Sequence, residues 1–145
     1  MTENKKENLN NRMIKFLFEG APVRGACVQM AEEWQEMIKF HHYPENVAAL
    51  LGQFTAGALL LSSTIKFEGS LILQVKGSGP IAFIYAEVRN PMSVRAMAEI
   101  REGAEIKPEM DLQELINKDG KGLCALILDP KDRRPGVQPY QGMVS

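Results

Sequence analysis

The spacing of apolar and polar positions along the chain changes period several times, and each change marks an element. From residue 69 to 88 the period is two. Leu71, Leu73 and Val75 alternate with Ile72, Gln74 and Lys76; Ile81, Phe83 and Tyr85 alternate with Ala82, Ile84 and Ala86. The run Gly77-Ser78-Gly79-Pro80 between them is turn chemistry, so the segment reads as a β-hairpin. After the Asn90-Pro91 break, Val94, Ala96, Ala98 and Ile100 alternate with Arg95, Met97 and Glu99, which predicts a third strand of the same sheet. Residues 13–18 alternate loosely up to the turn at 19–22, and 23–30 continue as a second short strand. Residues 122–128 are apolar on both faces and predict a central strand; 137–144 read as the strand that returns beside it.

Two segments have helical spacing. In residues 30–42, Met30, Trp34, Met37, Ile38 and His41 form one apolar face, and Glu32 and Glu33 stand where the dipole of a first turn favours acids. This helix is expected to stop near His42, because the residue before Pro44 disfavours the α conformation. Pro44 then suits the first position of a second helix. A third, short helix is expected after Lys107-Pro108: Asp111 caps it, Glu114 stands at the capping-box spacing, and Gly120 ends it.

The second helix carries "VAALLGQFTAGALLLSSTI", residues 47–65, which has no charge. From Pro44 to Leu61 a helix would be ~27 Å long, enough to span a bilayer. The composition argues otherwise. Twelve of the nineteen residues are apolar, Gln53 and Thr55 interrupt the middle, and Ser62-Ser63-Thr64 ends the run without a basic flank. A coiled-coil seam fails because Leu59, Leu60 and Leu61 are consecutive. What remains is a helix buried on nearly all sides, with Ala48, Gly52 and Ala56 as a small-residue stripe for close approach. The expected fold is therefore α+β, with layered antiparallel sheets packed around a buried central helix at about residues 44–61.

Composition agrees with one soluble domain: 145 residues, 45% hydrophobic and 24% charged. A net charge of −1 gives no electrostatic reason for nucleic acid or anionic lipid as a partner. The N-terminus is polar, lacks the apolar stretch of a secretory signal, and points to the cytoplasm. Residues 1–11 read as a disordered tail and 12–145 as one domain. The chain stops at Ser145 in or just after a strand, which reads as an incomplete domain.

Little in the sequence carries chemistry. His41, His42 and Glu45 are the nearest approach to a metal cluster, but adjacent histidines on a helix point apart, so a plain helix-end pair is the simpler reading. Cys27 and Cys124 lie far apart in apolar stretches and read as buried thiols in a reducing compartment. Residues 77–80 lack the Gly-Lys-Ser/Thr ending of a phosphate loop. No catalytic, cofactor-binding or metal residues are assigned. The eight methionines either fill gaps in a core, the reading preferred for Met30 and Met37, or make an adaptable apolar surface, for which Met13, Met92, Met97, Met110 and Met143 are also available.

Several strings taken together resemble one family. "FLFEGAPVRGACV" (16–28), "HHYPENVAALLGQFTAGALLLSSTIKFEGSLILQVKGSGP" (41–80) and "PYQGMV" (139–144) are similar, in order and spacing, to the N-terminal domain of the bacterial redox-regulated heat-shock holdase, the 33-kDa chaperonin family. The resemblance implies an ATP-independent chaperone that holds unfolding proteins during oxidative heat stress, acts as a homodimer, and is not an enzyme. It also implies zinc bound by four C-terminal cysteines in a CxC…CxxC module that serves as the redox switch. This chain has neither motif, so no metal or redox role passes to Cys27 or Cys124, and the client-binding residues stay unassigned. The alternatives are a small enzyme with Cys27 as nucleophile, and a self-association module with no activity of its own.

Overall fold

The computed structural model describes residues 11–89, 93–132 and 134–145. Strands β1 (Asn11–Leu17) and β2 (Arg24–Met30) form a two-stranded antiparallel sheet. Helices α1 (Glu32–Lys39) and α2 (Glu45–Thr64) follow. Strands β3 (Gly69–Lys76), β4 (Ile81–Arg89) and β5 (Ser93–Ile100), helix α3 (Leu112–Ile116), and strands β6 (Leu123–Pro130) and β7 (Tyr140–Val144) complete the order. The second sheet is antiparallel throughout, in the order β5-β4-β3-β6-β7. Of the tail expected to be disordered, residues 1–11, positions 1–10 lie outside the described residues, as does Met92; Asn11 belongs to β1.

Helix α2 lies between the two sheets, against β2 on one side and β3, β4 and β5 on the other. Its first half anchors one core cluster, in which Val47, Leu50 and Leu51 meet Ile81, Ile84 and Ala98 of the large sheet and Leu115 and Ile116 of α3. Its second half anchors another. Ala58 and Leu59 meet Leu71, Ala86 and Val88, and Met13, Val28 and Met30 of the small sheet close over them. The helix is long and apolar enough to cross a membrane, at 20 residues and a mean hydropathy of 1.4, yet strands packed on two sides account for that character as core. Thr55 is fully buried, and its hydroxyl donates to the Leu51 carbonyl at 2.7 Å.

The α+β class and the central helix agree with the sequence reading; several boundaries do not. Pro44 is the N-cap of α2, extended at φ −53° and ψ 149°, and the helix starts at Glu45. It runs past Leu61 to Thr64, because Ser62, Ser63 and Thr64 turn their hydroxyls back onto the carbonyls of Leu59, Leu60 and Leu61 at 2.7, 2.7 and 2.9 Å. It is not buried all round: Glu45, Ala49, Gln53, Leu61 and Thr64 form an exposed stripe. The small-residue stripe admits a side chain rather than a backbone, since a Cβ on Gly52 would stand 2.7 Å from the Trp34 indole nitrogen.

Helix α1 is shorter than the periodicity predicts. Met30 is the last residue of β2, paired with Asn11, and His41 lies beyond the helix end at Lys39, its ring stacked on Tyr43 at 5.1 Å. No α1 residue is fully buried, and Phe40 is 76% exposed. Helix α3 keeps its capping box, with Asp111 accepting from the Glu114 amide at 2.9 Å and Glu114 accepting from the Asp111 amide at 3.2 Å. It ends at Ile116, short of Gly120, because Asn117 leaves the helix and a single 3-10 turn takes over. Strand β6 is interior but not central; β3 holds that place.

The glycines of residues 77–80 have a steric reason. The turn they form docks on the end of α3: the Ser78 amide donates to the Ile116 carbonyl at 2.8 Å and its hydroxyl to the Lys118 carbonyl at 2.5 Å. Arg101 locks the other side, donating to the carbonyls of Gly77 and Gly79 at 3.0 and 3.2 Å. A Cβ on Gly79 would stand 2.7 Å from the carbonyl oxygens of Glu114 and Leu115, and one on Gly77 would strike the Ile81 carbonyl. Gly57, inside α2, faces open space. Gly79→Ala is therefore expected to destabilise the protein by about 1–3 kcal/mol, and Gly57→Ala to stabilise it by about 0.5–1 kcal/mol. Chemical denaturation followed by circular dichroism checks both, and equal effects would contradict the docked turn.

Candidate client-binding surface

Antiparallel pairs place their side chains on one face, so the register sorts the five-stranded sheet into two surfaces. Leu71, Leu73 and Val75 of β3 share the inner face with Ala86 and Val88 of β4, Ala96 of β5 and Leu126 and Leu128 of β6, against α2. The outer face carries Ile72 and Gln74, then Phe83, Tyr85, Glu87 and Arg89, with Arg95 and Met97 beside them. On the other flank stand Leu123, Ala125 and Ile127, then Met143 of β7. The described helices pack on the inner face or along β5. The outer face is left with Phe83 and Tyr85 stacked at 6.2 Å and with Met97, Leu123 and Met143 exposed, the last by 58%.

The two edges differ. Along β5, the Ala98 amide donates to the Tyr43 hydroxyl at 3.1 Å, and α1 lies beside the strand, which blunts this edge. At the other edge β7 pairs, among the described residues, with β6 alone, and Tyr140, Met143 and Val144 are exposed. An unpaired strand with apolar side chains is a template for an extended chain.

One ionic cluster interrupts the outer face. Glu87 is 4% exposed, and burial alone would push its carboxyl up. It accepts instead from the Tyr85 hydroxyl at 2.7 Å, from Arg95, and from Arg89 at 3.0 Å, and these bonds hold it down at about 2. Burial first, and then the Glu87 carboxylate, push the Tyr85 phenol up and keep it a donor. The arrangement anchors the β4–β5 end of the face; beyond it apolar side chains are interspersed with Gln74, Lys76 and Gln141.

The residues considered for chemistry are not brought together. Cys27 pairs with Ile14 across the small sheet and is exposed, not buried, because α2 covers only the alternate positions. Among the described residues no histidine or carboxylate hydrogen-bonds its thiol. Cys124 is half-buried, and burial pushes its thiol up, away from the nucleophilic thiolate. The described residues hold no group of three or more metal-ligating side chains. His41 and His42 stand in the loop before α2, and Glu45 opens that helix. A structural zinc site takes four ligands; the chain has two cysteines, on different sheets, and its residues do not fit the metal.

The methionines divide between both readings. Met13, Met30 and Met110 pack on the core, and Met37 is half-buried beside β5. Met97 and Met143 belong to the outer face. Their solvent exposure, and the course of the uncovered face across five neighbouring strands, were not legible in the sequence; the alternation of Ile72, Gln74, Tyr85 and Met97 was the one available signal.

Because the folded carboxyl of Glu87 lies below its unfolded value of 4.5, its contribution to stability is present above about pH 4.5 and is lost as pH falls toward 2. That contribution is at most about 3 kcal/mol, and less because Arg89 and Arg95 are exposed. Glu87→Gln is expected to lower stability at pH 7 and to flatten its decline below pH 4.5. Urea unfolding between pH 2.5 and 7 checks this, and an unchanged pH slope would remove the cluster from the account.

Known proteins supply the context. A family model described as Hsp33 protein matches residues 11–145. The chain is 39% identical over 137 residues to a 33 kDa chaperonin of Neisseria gonorrhoeae, covering 93% of this chain and 45% of the relative. It is 38% identical over 136 residues to a 33 kDa chaperonin of Aliivibrio salmonicida, covering 94% and 44%. The crystal structure of the Thermotoga maritima 33 kDa chaperonin superposes with a TM-score of 0.67 at 20% identity, over 91% of this chain and 44% of that one, and supports the fold. The chain thus spans a little under half the length of these relatives. Since the family model covers nearly all of the sequence, and relatives at this identity share one name, the chain belongs to the Hsp33 protein family.

Proposed function

We propose that this chain is client-binding machinery of an ATP-independent holdase, which binds unfolding proteins and prevents their aggregation under oxidative heat stress. The observation that carries the reading is the outer face of the five-stranded sheet. It combines stacked aromatics, flexible methionines and an open β7 edge on one surface without a described helix over it. Phe83, Tyr85, Met97 and Met143 take apolar side chains of a client, and the β7 backbone takes its extended main chain. Neither element prescribes a client sequence, which suits a chaperone better than a selective receptor.

The redox switch of such a holdase belongs to a zinc module of four cysteines, which these residues do not supply, and the holding form is a homodimer. The partners are unfolded proteins in the cytoplasm; a net charge of −1 supplies no overall attraction to nucleic acid or membrane surfaces. An enzyme using Cys27 is disfavoured because no base is built around the thiol.

Light scattering of a heat-unfolded client, without ATP, tests the proposal. The chain is expected to suppress scattering to the same extent reduced and oxidised. Met97→Glu combined with Met143→Glu is expected to weaken suppression about ten-fold or more, by placing charge where apolar side chains dock, with unchanged thermal unfolding. If saturating chain leaves scattering unaltered in both forms, the client site does not lie within these residues. Rapid alkylation of Cys27 below pH 7 would return the enzyme reading to consideration.

A further inference from the structure

The hairpin of β1 and β2 reaches beyond the helix it covers. Its inner-face positions Met13, Val28 and Met30 pack on the core. The next inner-face pairs toward the tip, Lys15 with Ala26 and Leu17 with Arg24, overhang the C-terminal end of α2. Together with Thr64 and Lys66 they enclose a cleft of about 580 Å³, a volume within the range of small-molecule sites. On the opposite face, the Phe16 ring lies over Gly25, where a Cβ would collide with it, and this holds the tip in shape.

Three cations, Lys15, Arg24 and Lys66, open into this cleft, and none forms an ion pair with a described residue. The remaining wall is apolar, made by Leu17 and Ala26. Concentrated positive charge beside an apolar wall selects a particular ligand chemistry: an anionic head attached to a hydrophobic body.

We propose that the cleft binds a small amphiphilic anion, a carboxylate or phosphate monoester bearing a short apolar chain. The Arg24 guanidinium presents a two-pronged donor to the head group, and Lys15 and Lys66 add point charges from either side. Leu17 and Ala26 receive the first carbons of the apolar body. The cleft belongs to the two-stranded layer, on the other side of α2 from the outer sheet face, so its occupancy is separable from client holding.

Octyl phosphate, titrated into the folded chain and followed by amide chemical shifts, tests the site. Shifts are expected at Gly25, Ala26, Thr64 and Lys66. Affinity is expected to fall about ten-fold in Arg24→Gln and in Lys66→Gln, to be partly kept in Arg24→Lys, and to weaken with salt. Octanoate is expected to give the same shifts, inorganic phosphate to bind about ten-fold more weakly or worse, and octanol to leave the cleft unchanged. Thermal unfolding of each variant verifies that it is folded. Octanol binding as tightly as octyl phosphate would reduce the cleft to an apolar crevice and overturn the proposal. Inorganic phosphate binding equally well would remove the amphiphile from it. Unchanged affinity in both charge-removed variants, or shifts confined to the outer sheet face, would also overturn it.

Discussion

The structure depends on covering one helix from two sides. Helix α2 is uncharged from Asn46 through Thr64, and leaving its apolar surface in water would cost about 25 cal/mol for each Å² of it. No single sheet wraps a cylinder. The chain therefore sets β1 and β2 on one side and β3, β4 and β5 on the other, and docks α3 against the first half of the helix. The burial of Val47, Leu50, Leu51, Ala58 and Leu59 follows from that arrangement. So does the alternation of β3, β4 and β5, since each has one face turned toward α2.

Covering the helix uses the inner face of the large sheet and leaves the outer one. That outer face carries apolar side chains such as Phe83, Met97 and Met143 among polar ones, with an ionic cluster in one corner. Glu87, bound by Tyr85, Arg89 and Arg95, satisfies a nearly buried carboxylate and pins β4 to β5. The apolar remainder is held at a defined geometry by the sheet beneath it. A rigid platform with flexible methionine side chains meets the needs of a protein that binds many unrelated chains.

The same economy appears at the turns. Residues 77–80 make a hairpin turn, and they also donate to the last carbonyl of α3 and accept from the guanidinium of Arg101. Tyr43 does two jobs as well, stacking on His41 while its hydroxyl accepts an amide from the edge strand β5. Positions that read in sequence as simple punctuation thus join the helical layer to the sheet.

Local physics made several elements legible in the sequence. A period of two, broken by Gly77-Ser78-Gly79-Pro80, marked the β3–β4 hairpin; the Asp111 and Glu114 spacing marked α3; an uncharged run with Gln53 and Thr55 inside it marked a core helix. These signals depend on neighbours within a few residues, so no folded context is needed to read them. The ends of α1 and α2 were less legible. Whether Ser62, Ser63 and Thr64 extend a helix rests on hydroxyls turning back to carbonyls, and whether Met30 joins a helix or a strand rests on its pairing with Asn11. Exposure was not legible at all. Cys27 sits in an apolar run yet points outward, and Met97 and Met30 look alike in sequence while one is exposed and the other packs on the core. The sequence by itself determined the elements, the need for a two-sided cover on α2, and the family. Only the tertiary structure decided which face of each strand meets α2, because that choice is set by pairing between residues far apart in the chain. With it came the outer face, the blunted and open edges, and the meeting of Lys15, Arg24 and Lys66.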